Sequence, residues 1–196
     1  MRRIQLDDNG DLVASYERKL IGGLNRWYMF DNNYIKTVTA GATSSANIIR
    51  YYHIKPPRPV TINGVSISIS TSITGNFRCG IYDMTVIDNA FRPNNLIIDC
   101  GEQSSSGTGY KTFSITPTNL ESTDYFLATL SSAATGYQGF VNSATMADIF
   151  GVASPTGNAV SAFTESYTYA PLPATANPTG EDTRYVAALF RVTGFL

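Results

Sequence analysis

Apolar and polar residues alternate along most of this chain, in short runs fenced by Pro, Gly, Asn and Ser. Val65, Ile67 and Ile69 alternate with Ser66, Ser68 and Ser70, and Phe77, Cys79 and Ile81 with Arg78, Gly80 and Tyr82. Phe113 with Ile115, and Phe126 with Ala128 and Leu130, repeat the scheme. A period of two sends successive side chains to opposite faces of a pleated strand, one face buried and one wet. The pattern predicts strands over 48–54, 60–70, 77–83, 96–101, 110–116 and 124–130, and a closing, largely buried strand over 184–192. Evenly spaced short strands of this kind define an all-β protein built as an antiparallel β-sandwich.

Local signals refine that outline. Val60-Thr61-Ile62 lies out of phase with Val65 to Ile69, so Asn63-Gly64 is expected to form a bulge. Pro56, Pro57 and Pro59 cannot donate ladder hydrogen bonds and belong to a connection or a sheet edge. Asp8-Asn9-Gly10 between 3–7 and 11–15 is a hairpin signal, because Asn-Gly readily takes positive φ. Tyr16 to Leu20 reads as a helical turn stopped by Gly22-Gly23, and Ala40 to Ala46 as a small-residue linker. Residues 1–45 therefore read as an N-terminal attachment arm and 46–196 as the sandwich. Beyond Ala133 the pattern loosens: a strand is expected at 140–142, a helical turn at 146–151, a strand at 158–169 and a proline-rich loop at 170–180.

Composition narrows the function. Hydrophobic residues make up 43% of the 196, enough to fill a core, but charged residues only 15% against about 25% in an average soluble protein. The formal charge is -1, which speaks against nucleic-acid binding. It is uneven: residues 1–58 hold nine bases and five acids, a balance of +4, and the remainder five bases and ten acids, a balance of -5. Two ends of opposite sign suggest different neighbours. No apolar run approaches the about 18 residues of a membrane span, and Met1-Arg2-Arg3 is followed by no apolar signal segment. Cys79 and Cys100 are too few for a secreted disulfide framework and fall on apolar strand faces; whether they pair is left open. The chain reads as one folded in a cytoplasm.

Candidate chemistry is sparse. His53 is the single histidine, so a multi-histidine zinc site is excluded, and no Gly-x-Ser-x-Gly elbow supplies a nucleophile. Gly107-Thr108-Gly109 lacks the rest of a phosphate loop and reads as a hairpin turn. Asp83 and Asp88 with Asn89 offer oxygens for Ca²⁺, but without ligand-spaced acids around them. No pair of carboxylates sits in a recognisable catalytic context, so neither an enzyme, a cofactor nor a metal is expected. Tyr137 with Gln138, and Tyr167 with Tyr169 and Glu165, combine aromatic faces with hydrogen-bonding groups in the irregular C-terminal third. That is the chemistry of a sugar-binding loop, and these are the candidate ligand-binding residues.

The order of strands from 48 to 130 resembles a β-sandwich domain of bacteriophage tail and fibre proteins. The resemblance rests on Tyr51-Tyr52, Arg58 to Ile62, Arg78-Cys79-Gly80-Ile81-Tyr82-Asp83, Leu96 to Gly101 and Asp124-Tyr125-Phe126-Leu127-Ala128. In that family the Gly-Ile-Tyr-Asp strand leads into a variable loop, here Met84 to Asn95. The resemblance implies a jelly-roll-like virion component, commonly a homotrimer, whose N-terminal segment attaches to other virion proteins. The dense aromatic cluster Trp27, Tyr28 and Phe30 around the single Trp, with Arg26 beside it, makes these the expected virion anchors. A chain of this length, without a shaft, points to a small tail fibre, a tail adaptor or a capsid decoration protein, with host-surface glycans as a possible outward contact. A stand-alone carbohydrate-binding module is the alternative.

Overall fold

The structure is a computed structural model and describes residues 5–6, 12–13, 23–30, 38–87, 90–141, 162–182 and 184–196. Every regular element among them is a strand: β1 (Gln5–Leu6), β2 (Leu12–Val13), β3 (Arg26–Tyr28), β4 (Val38–Thr43), β5 (Ile48–Ile54), β6 (Val60–Thr71), β7 (Asn76–Ile87), β8 (Ala90–Ser104), β9 (Gly109–Leu120), β10 (Tyr125–Ser131), β11 (Gly136–Val141), β12 (Ala162–Ser166), β13 (Gly180–Asp182), β14 (Arg184–Val186) and β15 (Ala188–Phe195). β1 and β2 form the expected N-terminal antiparallel pair. The rest make two antiparallel sheets.

The first sheet runs β13-β12-β5-β10-β7-β8. The second is built on β6, which pairs with β9 along one edge and with β15 and then β11 along the other. β3 lies beyond β15, while β4 and β14 pair with β11. Within this arrangement the order β5-β10-β7-β8 faces β4-β11-β6-β9, and from β4 to β11 every connection crosses between sheets except the β7–β8 hairpin. This is the strand order of a jelly roll. The expected bulge is present: the β6 register shifts between Ile62 and Gly64.

The inner faces meet in a core of Tyr52, Ile54, Phe77, Cys79, Ile81 and Leu127 from the first sheet and Val60, Ile62, Val65, Ile67, Ile69, Phe113, Phe190 and Val192 from the second. Period two accounts for these residues directly. It does not account for β10, where all seven residues are buried, for β5, buried from Ile49 to Ile54, nor for Ser66 and Ser68 of β6, which are buried although alternation placed them on a wet face. The first sheet is covered on its outer face as well, by a second apolar layer of Ile49, Tyr51, Tyr82, Phe126, Ala128, Leu130, Phe163 and Leu172.

The cover is the segment 167–178; the strand expected to run to 169 ends at Ser166, and 170–180, read from sequence as a proline-rich loop, makes up most of the cover. It leaves β12 beside Asn47, crosses the sheet to the edge of β8 and returns to β13. Tyr167 N–H donates to Asn47 O (3.0 Å), Leu96 N–H to Ala174 O (2.9 Å), Ala176 N–H to Asn94 O (2.7 Å) and Thr179 N–H to Thr164 O (2.9 Å). Tyr82 donates its hydroxyl to Pro173 O at 2.7 Å. Leu172 enters the sheet where Gly80 leaves room: an ideal Cβ on Gly80 would stand 2.6 Å from Leu172 Cδ1. The strap therefore has both backbone pairing and a side-chain anchor.

Several expectations from sequence change here. Within the stretch read as an N-terminal arm, β3 and β4 are hydrogen-bonded strands of the second sheet. Met84 to Asn95 is not simply a loop, since β7 continues to Ile87 and β8 starts at Ala90. Gly107 to Gly109 does not close a hairpin, because β8 and β9 belong to different sheets; Gly107 and Gly109 supply positive φ (78° and 100°) for that crossing. The helical turns expected at 16–20 and 146–151 lie outside the described residues.

Candidate functional site

Three polar clusters hold the acids Glu165, Asp182 and Asp124. Tyr51 donates to Glu165 Oε2 at 2.6 Å, and Asn177 N–H donates to the same oxygen at 2.9 Å, so Glu165 ties the strap to the sheet. Burial and the neighbouring Glu165 carboxylate push the Tyr51 hydroxyl well above its ordinary pKa, so it stays a donor. Arg50, 3% exposed, donates Nε to Asp182 at 2.8 Å and Nη1 to Ser44 Oγ at 2.9 Å, fastening β13. His53 Nε2 bonds Asp124 Oδ1 at 2.7 Å, and Lys55 reaches Asp124 Oδ2 at 3.2 Å. Burial alone would raise the Asp124 pKa, but the hydrogen bonds from His53 and Lys55 outweigh it and hold the carboxyl below its ordinary value. These contacts fix β12, β13 and the β9–β10 connection in place.

Cys79 and Cys100 are free and buried in the inner core, on adjacent strands at a bulge of β8. Burial, together with the neighbouring Cys100 thiol, pushes the Cys79 thiol well above its ordinary pKa, which makes it a core residue and not a nucleophile.

Among the described residues two exposed features could engage another molecule. The first is the outer edge of the second sheet, where β3 pairs only with β15. The strand is pinned by Asn25 N–H to Val192 O (2.7 Å) and by Lys55 N–H to Phe30 O (3.0 Å). Trp27 stands opposite Arg191, which stands opposite Gly64 on β6. A Cβ on Gly64 would lie 3.1 Å from Trp27 Cη2, so the indole crosses β15 and rests on the glycine. Trp27 remains 39% exposed, with Leu24, Arg26 and Met29 exposed around it.

The second is a shallow cleft of about 420 Å³ lined by Arg92, Phe163, Pro178, Thr179, Gly180 and Glu181. It forms where the far end of the β7–β8 hairpin meets the β12–β13 edge. Arg92 Cζ sits 4.3 Å over the Phe163 ring. Phe163 pairs in register with Glu181, so the aromatic ring and the carboxylate share one face. At the hairpin end Val86, Ile87 and Phe91 are exposed.

The chain matches no protein-family model, no curated protein and no solved structure.

The residues expected from sequence divide between surface and interior. Of the anchors, Trp27 and Arg26 are exposed, whereas Tyr28 is half-buried and donates its hydroxyl to Gly23 O at 2.6 Å. Phe30 is core: it stacks on Phe190 at 4.5 Å with the rings 3° from parallel. Of the ligand-binding candidates, Tyr137 is fully buried and its hydroxyl bonds Ser131 Oγ, so it offers no face to a ligand. Gln138 is half-buried in β11. Tyr167 donates to Pro171 O at 3.2 Å and Tyr169 to Glu102 Oε2 at 2.7 Å, so both hydroxyls hold the strap. Sequence reasoning passed over Arg92, Phe163 and Glu181. They lie on three elements far apart in sequence, and Arg92 sat in a stretch read as variable loop; only the shared parity of Phe163 and Glu165 hinted at a common face.

Proposed function

We propose that this protein is a non-enzymatic structural component of a bacteriophage virion: a small tail fibre, tail adaptor or capsid decoration subunit. It joins other virion proteins through the β3 edge and presents the first sheet, with its strap and hairpin, outward. The observation that carries the reading is the β3 edge, which has no second strand partner among the described residues and where Trp27, one end of its ring resting on Gly64, is flanked by exposed Leu24, Arg26 and Met29. An unpaired strand edge with exposed apolar side chains is a template for association, and soluble proteins normally blunt it. A Trp supported from beneath presents its area with little entropy left to lose, which is the character of an interface anchor.

The jelly-roll strand order supports the same reading, since it builds a two-layered body with loops at both ends for contacts of different kinds. Because β3 belongs to the sheet, the informative perturbation is substitution and not truncation. Trp27→Ser combined with Met29→Ser is expected to leave the melting temperature within a few degrees of the parent and to reduce incorporation into particles by tenfold or more. Incorporation at the parent level would count against the β3 edge as the attachment surface. The expected assembly is a homotrimer, and light scattering of the purified chain reads that directly.

A further inference from the structure

We propose that the cleft between the β7–β8 hairpin and the β12–β13 edge is a binding site for a sugar acid, a saccharide unit carrying a carboxylate. Its volume, about 420 Å³, falls in the range of about 300–1,000 Å³ usual for small-ligand sites, towards the end that holds one ring and its substituents. Two opposite charges line it. Arg92 and Glu181 form no ion pair with each other or with any other described residue.

The two charges have different jobs by geometry. Phe163 lies beneath the Arg92 guanidinium, with Cζ 4.3 Å from the ring centroid, and Nη1 donates to Phe91 O at 3.3 Å, so the group is held at two points. A guanidinium held this way keeps N–H groups along its edge for a carboxylate, the planar partner it matches best. Glu181 is exposed beside Phe163 and accepts hydrogen bonds only, so it suits the hydroxyl groups of the same ring; Thr179 adds a hydroxyl, and Pro178 an apolar wall. A ligand bearing a second carboxylate would meet Glu181 with like charge. A neutral sugar would leave Arg92 without an anion.

The site is preorganised. Phe163 lies within a strand paired on both sides, Thr179 N–H is bonded to Thr164 O at 2.9 Å, and Arg50 holds Asp182, the residue after Glu181, at 2.8 Å. Little ordering is left to offset on binding. The inference gives the outward face of the proposed virion component a ligand class, and in that biological setting it rests on the preceding proposal; the binding chemistry rests on the cleft alone.

The test uses the purified full chain, titrated separately with N-acetylneuraminic acid, glucuronic acid and the methyl ester of each, and followed by amide chemical shifts. At least one free acid is expected to shift the amides of Thr179, Gly180 and Glu181 saturably, with its ester binding about tenfold or more weakly. Arg92→Gln should lose the same factor and Arg92→Lys recover part of it, while Glu181→Gln should weaken acid and ester alike. Equal binding of acid and ester, undiminished binding by Arg92→Gln, or no saturable shift with either acid would overturn the assignment. Should Arg92→Gln loosen the hairpin, the acid-against-ester comparison on the unaltered chain and the Glu181→Gln result still decide it. Failure here leaves the particle-incorporation test of the β3 edge untouched, so the two proposals fall separately.

Discussion

Leu172→Ala tests whether the strap is an integral layer of the fold. Leu172 is 6% exposed and packs with Tyr82, Phe126 and Leu96 on the outer face of the first sheet. The change removes three carbons, worth about 0.8 kcal/mol each, or about 2.4 kcal/mol of transfer free energy. Leu→Ala in a closed core adds a cavity term and reaches about 5 kcal/mol, but a single-stranded roof can settle onto the sheet, which keeps the loss near about 2–3 kcal/mol. With a urea m-value of about 2 kcal/mol/M, the unfolding midpoint should fall by about 1 M. Hydrogen exchange supplies a local readout. The Leu96 and Ala176 amides, which bond to Ala174 O and Asn94 O, should exchange faster in the variant than amides in β6 beyond what global destabilisation explains. A midpoint shift below about 0.3 M with unchanged exchange at Leu96 and Ala176 would refute the claim that the strap stabilises the sheet.

Other substitutions probe neighbouring contacts. Gly80→Ala places a Cβ 2.6 Å from Leu172 Cδ1, 2.9 Å from Leu96 Cδ1 and 3.0 Å from Ile98 O, so it should cost about 1–3 kcal/mol. Urea denaturation should show a smaller cost in the Leu172→Ala background, where the nearest clash is gone; strict additivity would argue against that packing. Asp124→Asn removes the charged acceptor shared by buried His53 and Lys55, and a loss of about 1–3 kcal/mol at pH 7 is expected. The Asp124 pKa is lower in the folded state than its ordinary 3.8, so its contribution is fully present above that pH and is lost as acid takes the pH down through the folded value. Chemical denaturation between pH 2 and 6 should therefore show a shallower acid loss in the variant than in the parent, and parallel profiles would contradict the assignment.

How far the sequence could be read depends on the kind of pairing each residue makes. Val65-Ser66-Ile67-Ser68-Ile69 and Phe77-Arg78-Cys79-Gly80-Ile81 sit on strands whose buried face is set by the facing sheet, so alternation marks the inner core. Alternation is lost in Tyr51-Tyr52-His53 because this stretch is buried twice, by the second sheet on one side and by the strap on the other. Nothing local announces the strap: 170–180 has loop composition, and its role depends on Gly80, some ninety residues earlier, being small enough to admit Leu172. The aromatic cluster around Trp27 was visible, but its division into a core ring at Phe30 and a surface ring at Trp27 follows from pairing with β15 at the opposite end of the chain. Tyr137 looked like a loop tyrosine until β11 placed it beside Phe77, 5.7 Å between ring centroids. The cleft was hidden for the same reason. Arg92, Phe163 and Glu181 converge only after a hairpin, a sheet edge and a strap have each been positioned.

The central claim, that the chain works as a surface-displayed virion subunit, is tested most directly by locating it. Antibody raised against the purified protein, applied with gold to intact phage particles from the strain that encodes it, should label the particles at one defined position. Label at the distal tail would make it a fibre or adaptor subunit, and label over the head a decoration protein. Particles of full infectivity that carry neither label nor the protein in their denatured composition would contradict the account.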